Sequence, residues 1–242
     1  MKSVAIFFCV LLSIAGTASY AQNTPGLESG LSLKYRSYPT VSKDSKRPVV
    51  ILLHGYGSNE EDLLGLSQLF PSDYLILSVR APYKADVGGY QWFEREMVNG
   101  KYNGKPEHIA RSKELILKFV DEAVNKYHGD PGRVYLVGFS QGAMMSYEAG
   151  TSAPDKIKGI GVLSGKMSAG LLSSIHADKK LKSLRVFIAH GTADSRLPYS
   201  DGKAAYDRLV GIGVIPEMHT YQGMDHTISK EVMTDLIAWI KN

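Results

Sequence analysis

The fold is decided at residues 134–142, which read VYLVGFSQG. The apolar residues 134–137 predict a strand buried on both faces of a parallel sheet, and a helix is predicted from Ser140 to about Ala149. Between the two, Gly138 to Gly142 match the pattern G-x-S-x-G. In a strand–turn–helix context this pattern predicts a nucleophile elbow, a strained turn that presents the serine hydroxyl to a pocket. Ser140 is therefore the candidate nucleophile.

Apolar runs on either side of this segment predict the rest of the sheet. Buried strands are predicted at residues 49–53, 74–79, 160–163 and 186–189, and weaker strand patterns at 31–36 and 218–221. Helices are predicted at 106–127, 204–209 and 229–240, with a further helix starting at 59–62, whereas 81–105 is predicted to be irregular. Strands that alternate with helices, without repeat or linker, predict an α/β fold. We expect a single domain with a mostly parallel central sheet and helices on both faces.

The first 21 residues have the pattern of a secretory signal peptide. A positive start, MKS, precedes 13 mostly apolar residues at 4–16, and small residues stand at Ser19 and Ala21. The apolar run is short for a membrane span, which needs about 20 residues. Cleavage after Ala21 would leave residues 22–242 as the catalytic domain and remove Cys9, the only cysteine. A secreted or periplasmic protein without disulfides, and without stable membrane insertion after cleavage, is predicted.

The overall composition limits the classes of function. The chain has 242 residues, of which 44% are hydrophobic and 21% charged, and a formal net charge of +4. These values are typical of a folded soluble protein, and the small, scattered positive charge does not favour nucleic-acid binding. Neither a cysteine-based zinc site nor a His-x-x-His cluster is present. We therefore expect no metal and no cofactor, with a small molecule as the partner and a homodimer left open.

The serine needs a general base, and His226 is the favoured one. In this architecture the base follows the nucleophile in the chain, and four histidines do so: His176, His190, His219 and His226. His226 lies in a loop between a predicted strand and the last helix, from which an imidazole could reach over the sheet edge. His190 ends a predicted strand and is the competitor.

The acid that orients the base is expected to be Asp194, shortly after the strand at 186–189. Asp201, near a helix start, and Asp225, adjacent to the base, are the alternatives. An oxyanion hole requires two backbone N–H groups directed at the developing charge. Gln141, directly after the nucleophile, and Tyr56, in the glycine-flanked loop after the strand at 49–53, are the candidates.

At these motifs the sequence resembles the phospholipase/carboxylesterase family, the acyl-protein-thioesterase-like branch of the α/β-hydrolases. The resemblance rests on LLHGYGSNEEDL at 52–63, GFSQGA at 138–143, HGTAD at 190–194 and GMDH at 223–226. It implies the α/β-hydrolase fold and a triad of Ser140, Asp194 and His226. It also implies that the backbone N–H groups of Tyr56 and Gln141 form the oxyanion hole.

The expected function is hydrolysis of small or medium acyl or aryl esters through an acyl-enzyme. Trp92 and Phe93 belong to a region with many aromatic residues, which is either packed loop or a lid over an apolar pocket. Family members often read Trp-Phe-Asp here, where this chain has Glu94. We assign Trp92, Phe93 and His54 to substrate binding, although His54 is equally compatible with a buried structural histidine. Lysophospholipase, thioesterase and short-peptide hydrolase activities are alternatives, and a silent binding module is disfavoured by the intact triad.

Overall fold

The computed structural model describes residues 26–38, 46–98 and 101–242, so the predicted signal peptide lies outside the described residues. Within these ranges the strands are β1 Tyr35–Tyr38, β2 Arg47–Leu53, β3 Leu75–Val79, β4 Tyr83–Lys84, β5 Tyr90–Gln91, β6 Arg95–Val98, β7 Lys101–Gly104, β8 Gly129–Phe139, β9 Gly159–Leu163, β10 Arg185–Gly191 and β11 Glu217–Tyr221. The α-helices are α1 Pro106–Tyr127, α2 Gln141–Ser152, α3 Ala169–Ser174, α4 Tyr199–Gly211 and α5 Lys230–Lys241. No helix in the described ranges is both long and apolar enough to cross a membrane.

Seven strands form the central sheet, in the order β1-β3-β2-β8-β9-β10-β11. β1 is antiparallel to β3, and the other six strands are parallel to one another. Parallel strands need crossover connections, which the helices supply, and both faces of such a sheet are then covered. The mostly parallel sheet predicted from the alternating pattern is confirmed.

The two faces of the sheet bury separate cores. On β2, Val49, Ile51 and Leu53 pack with residues of α1, α2 and α4, whereas Val50 and Leu52 pack on the opposite face with residues of α5. This alternation follows from the two-residue period of a strand. Because both faces are apolar, the strand reads as a continuous apolar run in the sequence. Helices on both faces of the sheet, as expected, are confirmed.

The helix predicted to start at residues 59–62 is wrong. The segment forms turns and a short 3₁₀ helix, Leu64–Leu69. Glu60 does not act as a solvent-exposed first-turn acid: it is buried, and Arg80 donates to both its carboxylate oxygens at 2.6 and 2.7 Å. A buried ion pair that needs this geometry overrides the local helical preference.

The stretch 81–105 is also more regular than predicted. It contains two small hairpins, β4–β5 and β6–β7, whose strands are two and four residues long. Strands this short carry too few residues for a period of two to be recognised. The hairpins lie outside the central sheet and precede α1.

Candidate active site

Ser140 occupies a strained turn between β8 and α2. Its backbone has φ 54° and ψ −113°, a conformation that non-glycine residues rarely adopt. Its N–H donates to the Leu163 carbonyl at 3.0 Å, which ties the turn to the end of β9. A side chain on Gly138 would collide with the backbone of Gly142, and one on Gly142 would collide with the carbonyl of Leu53, so the two glycines allow α2 to start close against β8 and β2. The predicted elbow geometry is present.

Asp194 lies in the loop after β10, and its side chain has no exposed surface. Its Oδ1 accepts hydrogen bonds from the backbone N–H groups of Arg196 and Leu197, both at 2.9 Å. Its Oδ2 lies 2.8 Å from Nδ1 of His226 and 3.4 Å from Nε2 of His190. Burial acts to raise the pKa of Asp194, but the hydrogen bonds from both histidines and from the backbone outweigh it and hold that pKa well below the ordinary range. The carboxylate is therefore ionised at neutral pH.

His226 is the histidine that combines contact with Asp194 and partial exposure. Its side chain is 14% exposed, and its ring lies 4.9 Å from the ring of Phe139, the neighbour of Ser140. The hydrogen bond to Asp194 assigns the proton to Nδ1 and leaves Nε2 as the basic nitrogen. The structure thus joins His226 to Asp194 and places the His226 ring against Phe139, the residue before Ser140, at the carboxyl edge of the sheet.

The competitor His190 is near the same carboxylate oxygen of Asp194 as His226 and is fully buried. Its Nε2–H donates to the Leu197 carbonyl at 2.9 Å, with Asp194 Oδ2 as the more distant second acceptor. Its Nδ1 is buried without a hydrogen-bond partner among the described residues and faces the α-carbon of Gly202 on α4. A ring enclosed in this way supports the carboxylate and does not meet a substrate.

The alternative acids have other partners. Asp225 Oδ1 accepts from the backbone N–H groups of Ser195, at 2.8 Å, and of His226, at 2.7 Å. It therefore joins the loop that carries the acid to the loop that carries the base. Asp201 lies in the first turn of α4, with its carboxylate 3.9 Å from the Lys166 ammonium. Neither is hydrogen-bonded to the imidazole ring of His226.

Gln141 has two distinct features. Its backbone N–H is the first of α2, where no acceptor exists within the helix, so it is placed as an oxyanion donor would be. Its side chain, which the sequence analysis did not interpret, accepts from the Trp92 N–H at 2.6 Å and donates to the Phe93 carbonyl at 2.8 Å. The side-chain amide thus accepts from and donates to the backbone of a buried loop, in the way that a neighbouring strand would. One signal in the sequence could have indicated this role of Gln141. Its side chain is polar, whereas the residues that follow it at the start of α2 are small or apolar.

Tyr56 lies in the turn after β2, at the same sheet edge as Ser140. Its hydroxyl donates to Asp86, and Arg95 donates to that hydroxyl at 2.9 Å. The Arg95 guanidinium also covers the Tyr56 ring, with its carbon 4.1 Å from the ring centre. A side chain added to the adjacent Gly55 would come within 3.5 Å of the Ser140 β-carbon, so this turn borders the nucleophile.

His54 is corrected to a structural histidine. It is fully buried, its Nδ1 lies 2.7 Å from the Gly55 carbonyl, and its Nε2 accepts from the Ala81 N–H at 3.1 Å. Burial lowers the pKa of His54 to about 4, despite the backbone hydrogen bond that acts to raise it. A neutral ring with both nitrogens engaged fixes the loop that leads to Tyr56 and has no surface for a substrate.

The assignment of Trp92 and Phe93 to substrate binding is also corrected. Both side chains have no exposed surface. The indole N–H of Trp92 donates to the His54 carbonyl at 2.9 Å, and its carbonyl accepts from Ser112 on α1. The packed-loop alternative is the one observed, because an interior aromatic residue with these bonds supports the wall of the site and does not line it.

Comparisons with known proteins identify the family of this chain. The family model described as phospholipase/carboxylesterase matches residues 39–242. A probable carboxylesterase of Oryza sativa subsp. japonica is 30% identical over 227 residues, which cover 88% of this chain and 85% of that protein. Acyl-protein thioesterase 1 of Kluyveromyces lactis is 27% identical, covering 79% of this chain and 90% of its own length.

Among solved structures, esterase PE8 is 27% identical with a TM-score of 0.75, covering 87% of this chain and 98% of its own. A carboxylesterase of Bacillus cereus shares the fold with a TM-score of 0.73 at 24% identity, covering 86% of this chain and 93% of its own. The expected α/β-hydrolase fold is thereby confirmed. Since the family model spans most of the sequence, the chain belongs to the phospholipase/carboxylesterase family.

Proposed function

We propose that the chain hydrolyses small or medium acyl or aryl carboxylic esters, with Ser140, His226 and Asp194 as its catalytic triad. The observation that carries this proposal is the 2.8 Å hydrogen bond between His226 and a buried, ionised Asp194, at the same sheet edge as the strained turn of Ser140. Family membership supports the class of reaction, a serine-dependent ester hydrolysis.

In the first half-reaction, the Ser140 hydroxyl attacks the acyl carbon while Nε2 of His226 takes its proton. Negative charge moves to the carbonyl oxygen, where the backbone N–H groups of Tyr56 and Gln141 stabilise it. The ester C–O bond breaks, and the imidazolium of His226 gives its proton to the departing alcohol. Asp194 keeps the imidazole in the required tautomer and stabilises the imidazolium.

In the second half-reaction, water replaces the alcohol. His226 takes a proton from the water, which attacks the acyl carbon, and the Ser140–acyl bond breaks with return of the proton to Ser140. The acid is released and the free enzyme is restored. Every proton is carried by His226, so the chain's own residues supply the chemistry of both steps.

Thioester hydrolysis is a second candidate, since the same steps cleave a thioester and the yeast relative is named an acyl-protein thioesterase. Lysophospholipids and short peptides stay as lesser alternatives. We also propose export to the periplasm or outside the cell, on the basis of the signal-peptide pattern at residues 1–21. A homodimer stays a prediction, to be checked by light scattering of the purified chain.

The test is hydrolysis of p-nitrophenyl esters from acetate to dodecanoate by the purified chain, beside Ser140→Ala. Activity that depends on Ser140, with stoichiometric labelling of the wild-type chain by a fluorophosphonate, would support the proposal. A folded chain that reacts with the probe at another residue would exclude Ser140 as the nucleophile. A thioester and an amide of the same acyl group, assayed in parallel, separate the alternative activities.

A further inference from the structure

An open depression lies directly beside Tyr56. Its volume is about 540 Å³, and the hairpin β4–β5, the start of β6 and the turn after β2 contribute its lining residues: Tyr56, Lys84, Ala85, Asp86, Gln91, Glu94 and Arg95. Tyr56 directly follows Gly55, on which an added side chain would come within 3.5 Å of the Ser140 β-carbon, so one lining residue of the depression is next to the turn that borders the nucleophile.

The lining is polar, contrary to the apolar acyl or aryl pocket that the aromatic sequence suggested. The two aromatic residues expected to form that pocket, Trp92 and Phe93, are fully buried behind the loop. Ala85 is the only aliphatic residue of the lining, and the Tyr56 ring is covered on one face by Arg95. A long acyl chain would therefore find little apolar surface to contact here.

The charges of the lining are balanced. Two cationic side chains, Lys84 and Arg95, stand with two carboxylates, Asp86 and Glu94, so the lining has no net charge. Arg95 lies 3.9 Å from Asp86, and Glu94 lies 3.5 Å from Lys105, which is not part of the lining. Such a surface presents hydrogen-bond donors and acceptors side by side. It complements a neutral group that both donates and accepts, as several hydroxyls do, better than an anion.

We infer that this depression receives the alcohol portion of the substrate and that this alcohol is rich in hydroxyl groups, as a sugar ring is. The inference rests on the proposed function and adds a substrate class to it. The exposed fractions of Arg95 and Asp86 are 48% and 75%, so the depression is open to solvent. The alcohol leaves while the acyl group is still bound to Ser140, and an open side suits the part that departs first.

The experiment compares 6-O-acetylglucose with cyclohexylmethyl acetate, which has the same acyl group and ring size but no hydroxyls. Acetate release by the full chain gives kcat/KM for each ester. We expect the sugar ester to be preferred roughly tenfold, since a site built to bond hydroxyls discriminates against an analogue that lacks them.

The chain offers a matched pair of variants. Glu94 and Glu107 are both exposed and lie 3.5 and 3.6 Å from the same ammonium of Lys105, but only Glu94 lines the depression. Glu94→Ala is expected to lower the sugar preference about fivefold, the scale of one lost hydrogen bond, whereas Glu107→Ala leaves it unchanged. Each substitution removes one negative charge near Lys105, so a general electrostatic effect would change the sugar preference equally in the two variants.

Equal kcat/KM for the two acetates, or an equal effect of the two variants, would overturn the inference. A stronger preference for acetoxyacetate, whose carboxylate belongs to the alcohol portion, over isobutyl acetate than for the sugar ester over its analogue would also overturn it, in favour of an anionic alcohol. These outcomes are separable from failure of the proposed function. If hydrolysis does not depend on Ser140, the proposed function fails, whereas Ser140-dependent turnover without sugar preference rejects the substrate class alone.

Discussion

On one side of Ser140, Asp194 is enclosed and all its described hydrogen bonds are internal, from two histidines and two backbone N–H groups. On the other side, the Tyr56 hydroxyl joins Arg95 and Asp86, whose side chains are about half and three-quarters exposed. The first side holds a charge in one geometry at low dielectric. The second presents a polar surface to solvent. The contrast suggests a division of roles. Buried residues hold the groups that transfer protons, whereas exposed residues, which can be substituted without destabilising the core, select the substrate.

Each side nevertheless rests on one fully buried histidine. His190 contacts Asp194 Oδ2, and His54 ties the turn before Tyr56 to the end of β3 through the Ala81 N–H. Neither ring has surface for a substrate. Substitutions at His190 and at His54 therefore test separately how the acid Asp194 and the oxyanion turn at Tyr56 are held in place.

The largest effect is expected at the residue between the two sides. Ser140→Ala should lower kcat by at least about 10³-fold, because the covalent route is lost. Ser140→Gly should be equally inactive but more stable than Ser140→Ala by about 1 kcal/mol, because glycine relieves the positive φ of 54°. Ester turnover and thermal unfolding of both variants test this. Equal melting temperatures would show that the turn is not strained.

Asp194→Asn should lower kcat by about 10³–10⁴-fold, since an amide cannot stabilise the imidazolium and favours the wrong tautomer. The matched change is Asp225→Asn, which keeps the oxygen that accepts from the Ser195 and His226 N–H groups. We expect it to stay within about threefold of the wild-type kcat. Initial rates with one p-nitrophenyl ester compare the two variants. Similar losses would mean that Asp225, and not Asp194 alone, acts on the imidazole.

The sequence was informative where function depends on chain order and strand ends. Ser140, Asp194 and His226 each follow a strand or a strand-like segment, and parallel strands bring such ends to one edge. The sequence was misleading for His54, Trp92 and Phe93, because their burial depends on partners far along the chain. Trp92 bonds to the side chain of Gln141, 49 residues away. No local period encodes a contact of that kind.

A smaller effect on turnover is expected at His190, which contacts the acid Asp194. His190→Leu removes the donor near Asp194 Oδ2, whereas in His190→Gln the amide N–H can occupy the place of Nε2–H. We expect His190→Leu to lower kcat about tenfold with little change in KM, and His190→Gln to restore most of it. The hydrogen bond from His190 helps to hold the pKa of Asp194 low, so its loss raises that pKa. Asp194 then becomes protonated at a higher pH, and the acid limb of the pH–rate profile should move to higher pH in the leucine variant.

Loss of a merely structural contact would lower stability without moving that limb. The groups that face the His190 ring are Asp194, the Leu197 carbonyl, the Tyr199 ring at 6.1 Å and the Gly202 α-carbon. If His190→Leu does not fold, Gly202→Ala displaces the ring from the α4 side, because an added methyl would collide with Nδ1. An unchanged pH profile in whichever variant folds would contradict a positioning role.

The smallest effect on turnover is expected at His54, where the measurable quantity is stability. Its pKa is about 4 in the folded chain, against about 6.5 when unfolded. Between these values the unfolded chain binds a proton that the folded chain does not, so the free energy of unfolding should fall as pH falls from 6.5 to 4, by roughly 3 kcal/mol in all. Urea unfolding at several pH values should show a slope reduced by one proton in His54→Gln. The exposed His176→Gln is the control for the loss of a histidine. A slope that is the same in His54→Gln as in the wild type would show that His54 binds a proton equally well in the folded and unfolded chains, which would contradict a neutral buried ring.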